Sequence, residues 1–101
     1  MLRVRLYATL RQYVNDAREV TLDLPAMKPV SEVLELLFAS HQDLRSAVLD
    51  EEGQLRPYVN VFVNGRSIRD IDGMQTVVAP GAEFAIFPPV AGGAGGPSLL
   101  G

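Results

Sequence analysis

The stretch Val20-Thr21-Leu22-Asp23-Leu24-Pro25-Ala26-Met27-Lys28-Pro29-Val30-Ser31-Glu32-Val33-Leu34-Glu35-Leu36-Leu37-Phe38 holds the change of rhythm on which the fold depends. Val20, Leu22 and Leu24 alternate with Glu19, Thr21 and Asp23, the period of a strand with one buried face, and Pro25 stops it. Val30, Val33, Leu34, Leu37 and Phe38 then recur at helical spacing and make an apolar stripe. Pro29 lies just before this helix, Ser31 is its expected N-cap, and Glu32 and Glu35 suit its electropositive early turns.

Outward from this stretch the period of two returns on both sides. Toward the N-terminus, Leu2, Val4 and Leu6 share one face, with Arg3, Arg5 and Tyr7 on the other. A polar stretch through Arg11, Gln12, Asn15 and Asp16 separates this strand from the next, so the two form an antiparallel hairpin. Beyond the helix, Asp43 is placed to cap a shorter one carrying Leu44, Ala47 and Val48, and Asp50-Glu51-Glu52-Gly53 reads as a solvated acidic loop. After Pro57, Val59, Val61 and Val63 alternate with Tyr58, Asn60 and Phe62, and the polar Asn60 makes the valine face the buried one. Asn64-Gly65 is a tight-turn pair, since both residues tolerate positive φ. A short strand is expected over Arg66–Arg69 around Ile68, turns at Asp72-Gly73 and Pro80-Gly81, and a last strand over Glu83–Phe87 with Phe84 and Ile86 inward. One amphipathic helix must bury its stripe on the apolar face of a mixed sheet, which makes this an α+β chain in ubiquitin-like β-grasp order. The domain is expected over residues 1–87, with a flexible C-terminal tail over 88–101. Many functions use this architecture, so the fold does not choose among them.

Composition narrows the choice. The 101 residues suffice for one domain and one modest core, and 48% hydrophobic with 21% charged residues is the balance of a folded chain. Nine basic and twelve acidic residues are interspersed, for a net charge of −3, which lacks the basic stripe of a nucleic-acid binder. The absence of cysteine excludes disulfides, thiolate metal sites and a Cys nucleophile, so any sulfur handled here is brought by another molecule. Charges interrupt Met1-Leu2-Arg3-Val4-Arg5-Leu6, unlike a signal peptide, and no apolar run reaches the length of a membrane span. A cytoplasmic protein with no membrane partner is the expectation.

The body offers little for an enzyme. His41, the single histidine, falls at the end of the main helix, where it faces solvent or complements the helix dipole. No nucleophile motif surrounds a serine, the carboxylates of Asp50–Glu52 are adjacent without a liganding pattern, and no glycine-rich phosphate loop joins a strand to a helix. Neither a metal nor an intrinsically bound cofactor is expected. The tail differs: it leaves the last strand through a stiff diproline and reaches a Gly-Gly pair within a few residues.

Phe87-Pro88-Pro89-Val90-Ala91-Gly92-Gly93 resembles the C-terminal signature of the MoaD/ThiS family of ubiquitin-like sulfur carriers. Leu2-Arg3-Val4-Arg5-Leu6-Tyr7-Ala8-Thr9-Leu10-Arg11 is similar to the first strand and turn of MoaD-type proteins. Tyr58-Val59-Asn60-Val61 through Val63-Asn64 is more similar to the CysO-like branch, which feeds cysteine synthesis. The resemblance implies that a MoeB/ThiF-type partner adenylates the C-terminal carboxylate with ATP and that sulfur transfer then makes a thiocarboxylate. On that pattern Gly93 is the reactive residue and Gly92 its companion in the channel, while Pro88, Pro89, Val90 and Ala91 are the segment the partner grips. Tyr7, Phe62 and Phe87, each on the face opposite the buried alternation of its strand, are expected to form an exposed apolar docking face; MoaD-type carriers use aromatics at the first and last of these positions. The sulfur would pass to a MoaE-like or cysteine-synthase-like acceptor.

One departure from the family pattern matters. Residues 94–101 follow Gly93, so its carbonyl is an amide and cannot be adenylated until a protease, of the JAMM type by the same resemblance, removes them. Ala94-Gly95-Gly96 echoes Ala91-Gly92-Gly93 and makes Gly96 a second candidate terminus, but the spacing from Phe87 favours Gly93. Two other functions share these features: the small subunit of a molybdopterin synthase, and a ubiquitin-like protein modifier or interaction module.

Overall fold

The computed structural model describes residues 1–88. Strand β1 (Leu2–Leu6) buries Leu2, Val4 and Leu6 and exposes Arg3 and Arg5, as its alternation requires. The polar stretch that follows is a 3₁₀ coil, Ala8–Val14, because Leu10 and Val14 within it are pulled into the core. Asn15 and Asp16 turn the chain back at φ 57° and 61°, a region these two side chains enter more readily than most. β2 (Glu19–Leu22) then pairs antiparallel with β1, Val20 opposite Val4. Leu24 lies past the end of β2 and is nonetheless buried.

A two-residue strand β3 (Lys28–Pro29) leads directly into helix α1 (Val30–Ser40). The helix begins one residue before the predicted cap. The Val30 N–H donates to the Thr76 carbonyl at 2.8 Å, so a neighbouring segment, and not Ser31, satisfies the start of the helix, and Pro29 occupies the N-cap position. Val30, Val33, Leu34, Leu37 and Phe38, the predicted stripe, are all buried. Helix α2 (Asp43–Val48) is capped at Gln42 with no side-chain bond, and Asp43 sits inside its first turn instead of capping it. The carboxylate of Asp50 accepts the N–H groups of Glu52 and Gln54 at 2.9 and 3.0 Å, which makes the acidic loop a self-closed turn.

Strand β4 (Asn60–Val63) hairpins through Asn64 and Gly65, both at positive φ, into β5 (Arg66–Ser67). The predicted strand to Arg69 is cut short. Ile68 drops into the core, the Ser67 hydroxyl accepts the Arg69 N–H, and Ile68–Asp70 winds into a 3₁₀ turn. β6 (Val77–Val78) pairs with β3 in a small second ladder that the hydrophobic pattern did not reveal. β7 (Glu83–Phe87) completes the main sheet, with Phe84 and Ile86 buried as expected.

The sheet order is β2-β1-β7-β4-β5, with β1 and β7 parallel at the centre and the other neighbours antiparallel. A parallel pair cannot be joined by a tight turn, so the chain between β1 and β7 must cross over, and α1 is its principal covering element. The inward faces of the sheet and the stripe of α1 form one apolar core that includes Leu2, Leu34, Leu37, Val61, Phe84 and Ile86. This is the β-grasp: one main helix on one face of a mixed sheet. Among the described residues no helix is long and apolar enough to cross a membrane.

Candidate functional site: the outward face of the sheet

With the core on one face, the alternation of each strand projects its remaining side chains onto the other. Register decides which of them meet. β7 lies between β1 and β4, placing Ala85 beside Arg5 on one side and Phe62 on the other, and Phe87 opposite Asn60. Tyr7, immediately after β1, stacks on Phe87 with ring centroids 4.2 Å apart and planes 8° apart. Phe62 meets Phe87 edge-on at 5.3 Å and 71°. Offset-stacked and edge-to-face pairs of this kind contribute roughly 0.5–1.5 kcal/mol each beyond the area they bury.

The structure therefore brings the three predicted aromatics together. They are half-buried, which corrects the expectation of an exposed face: each ring is covered in part by another. Pro88, placed by the sequence reading at the start of the tail, is buried, so the chain leaves the sheet from an anchored point beside Phe87. Pro89, Val90, Ala91, Gly92, Gly93 and the alternative terminus Gly96 lie outside the described residues.

The aromatics are one end of a groove of about 250 Å³ that runs along β7. Its walls include Arg3, Arg5 and Glu19, and its floor drops at Ala85, whose methyl group stands between the longer side chains of Arg5 and Phe62. The sequence reading missed Ala85 and the two arginines as parts of this surface. The signal was present in the alternation of Glu83, Ala85 and Phe87 against Phe84 and Ile86, but only strand order could set those residues beside β1. His41 contributes nothing to the groove; it closes α1, its backbone N–H donating to the Leu37 carbonyl at 3.0 Å.

Comparison with known proteins gives this geometry a context. The chain matches the ThiS family over residues 4–93. It is 36% identical over 92 residues to small archaeal modifier protein 3 of Haloferax volcanii, an alignment covering 91% of this chain and 98% of that protein. It is 33% identical over 63 residues to the sulfur carrier protein CysO of Mycobacterium tuberculosis, covering 60% of this chain and 68% of that one. Among solved structures, the Amycolatopsis orientalis BexX/CysO complex contains a chain that superimposes with a TM-score of 0.80 at 27% identity, over 92% of this chain and all of that one. The half-buried aromatics at the root of the tail thus stand on a β-grasp scaffold shared with proteins named as sulfur carriers and modifiers, and the chain belongs to the ThiS/MoaD family of ubiquitin-like sulfur carriers.

Proposed function

We propose that this chain is a sulfur carrier whose working group is the carboxylate of Gly93, freed by removal of residues 94–101. The observation that carries the reading is the family match, which runs from residue 4 through the rest of the described domain and on to Gly93. Members of the family are small protein carriers and not catalysts, so the chemistry belongs to partners. A MoeB/ThiF-type enzyme would supply ATP: the Gly93 carboxylate attacks the α-phosphorus, pyrophosphate leaves, and an acyl-adenylate forms. A sulfur nucleophile then adds to the acyl carbonyl and AMP leaves, so that one oxygen is replaced by sulfur. Adenylation is necessary because a free carboxylate is a poor electrophile.

The residues of this chain suit that sequence of events. Phe87 and Pro88 anchor the root of the tail, and the five residues that follow Pro88, ending at Gly93, reach at most about 18 Å when extended. The activating centre of the partner must therefore lie within that distance of the aromatic cluster, which makes Tyr7, Phe62 and Phe87 the natural docking surface. Gly92 and Gly93 lack a Cβ and let the backbone approach a phosphate in a narrow channel. Pro88 and Pro89 restrict the tail before binding and lower the entropy lost on threading. The acceptor of the sulfur would be a MoaE-like or cysteine-synthase-like enzyme, and the processing enzyme a JAMM-type peptidase.

The test compares two forms. The chain through residue 101 should be inert with ATP and the activating enzyme. The form ending at Gly93 should be adenylated and, with a sulfur donor, should gain the mass of one oxygen exchanged for sulfur; Gly93→Ala in that form should greatly reduce activation. Activation of the chain at Gly101, or an inert Gly93 form, would overturn the processing step. The likeness to small archaeal modifier protein 3 supports a second reading, in which the same terminus is joined to lysines of target proteins; recovery of isopeptide conjugates from cells would establish it.

A further inference from the structure

Next to the aromatic groove lies a second recess. It shares Arg5, Tyr7 and Glu19 with the groove and is completed by Leu6, Arg11 and Arg18. Three guanidiniums and one carboxylate thus surround one side of Tyr7. Across the two depressions together, Arg3, Arg5, Arg11 and Arg18 face only Glu19 and Glu83, on a chain whose net charge is −3. The arginines are not consumed internally. Arg3 and Arg5 share Glu19 at 3.9 Å each, with side chains 72% and 63% exposed, a geometry in which ion pairs hold little energy. Arg11 donates its Nε–H to the Leu6 carbonyl at 3.1 Å, which fixes its position, and among the described residues no carboxylate forms an ion pair with it.

We propose that this face recognises an acidic protein segment: an apolar side chain seated over Ala85 against Tyr7, Phe62 and Phe87, with neighbouring carboxylates on Arg5, Arg11 and Arg18. The chemistry is complementary at both ends. A guanidinium fork matches a carboxylate in two parallel hydrogen bonds, and its charge steers the encounter. The half-buried rings offer an apolar seat too small to hold a partner by area alone, so the charges carry the discrimination. Assigning that segment to the activating partner rests on the carrier reading; the chemistry of the face does not.

The probes are two hexapeptides with the same apolar centre, Asp-Glu-Leu-Phe-Glu-Asp and Lys-Lys-Leu-Phe-Lys-Lys, titrated into isotopically labelled chain and followed by amide chemical shifts. The acidic peptide should shift the amides of Arg5, Tyr7, Arg18, Ala85 and Phe87. Its affinity should fall at least about tenfold as salt is raised from about 0.01 M to about 1 M, which shortens the screening length from about 30 Å to about 3 Å. The basic peptide should leave these amides unmoved. Arg5→Glu with Arg18→Glu should abolish the preference, and Arg5→Gln with Arg18→Gln should weaken it, while the remaining spectrum reports an intact fold. Equal response to both peptides, or shifts elsewhere, would overturn the proposal; so would the same shifts produced by sodium phosphate alone, which would make this a small-anion site. The Gly93 form is then tested with the activating enzyme. If it is inert while the acidic peptide still binds, the carrier reading falls and the recognition face stands.

Discussion

Ala8 holds a φ of 52°, in the left-handed region where a Cβ crowds the backbone at a cost of roughly 1–2 kcal/mol. Its position, directly after Tyr7, is where the chain must leave β1 while the tyrosine ring turns onto Phe87. Ala8→Gly relieves the strain, and the greater freedom of glycine in the unfolded chain offsets roughly 0.5–1 kcal/mol of the gain. The expected result is a melting temperature raised by a few degrees; a decrease would show that the alanine methyl contributes packing. Phe87 carries the opposite expectation. Its ring touches two others on the face away from the core, so Phe87→Ser should cost about 1–2 kcal/mol in chemical denaturation, leave a native spectrum, and weaken docking of the activating enzyme. Loss of folding would place the ring in the core.

At the scale of elements, the segment before β4 depends on one side chain. The Arg69 guanidinium donates to the Val59 carbonyl at 2.8 Å, the Asn60 side-chain oxygen at 3.0 Å and the Arg56 carbonyl at 2.9 Å. It thereby ties the loop over residues 56–59 and the first residue of β4 to the 3₁₀ turn that follows β5. The strand predicted over Arg66–Arg69 stops at Ser67, and in the turn that replaces its end Arg69 holds these three acceptors while Ile68 is buried. Arg69→Ala leaves these acceptors to solvent and should destabilise the protein by about 1–2 kcal/mol, since hydrogen bonds to charged groups are among the stronger ones. Hydrogen exchange at the residues preceding β4 should rise in the same variant, and unchanged exchange there would refute the role. Asn64 does similar work at the hairpin, its side-chain oxygen accepting the Glu83 N–H at 3.0 Å and its own N–H donating to the Glu83 carbonyl at 2.8 Å.

On the scale of the whole molecule, the distribution of cations bears on how an activated terminus would behave. Lys28 is the only lysine in the sequence; the other eight basic residues are arginines, which are not acyl acceptors at neutral pH. Lys28 stands at the start of the helical crossover, with a 43% exposed side chain whose Nζ is 3.6 Å from Glu32. Under the modifier reading, polymers of this chain joined through side chains can therefore branch only at Lys28. Lys28→Arg should eliminate them without disturbing the fold or activation of Gly93, and peptide mapping of any conjugate that persists would show whether the terminal amine had replaced it.

The hydrophobic rhythm by itself located the strands seen at Leu2–Leu6, Glu19–Leu22, Asn60–Val63 and Glu83–Phe87, running the second on to Leu24 and starting the third at Tyr58, together with the apolar stripe of the main helix and the buried side of each, because burial on one face leaves a periodic record in the chain. The same record, read with the Gly-Gly pair, led to the family. Tertiary structure alone decided the helix start at Val30, whose N–H donates to the Thr76 carbonyl, and the Ile68–Asp70 turn, where Ile68 is buried and Arg69 bonds residues ten and thirteen positions away. It also decided the groove. Alternation places Arg5, Phe62 and Ala85 on outward faces, but only the order β2-β1-β7-β4-β5 sets the small alanine between the other two, and strand order is written in long-range pairing that no local pattern records.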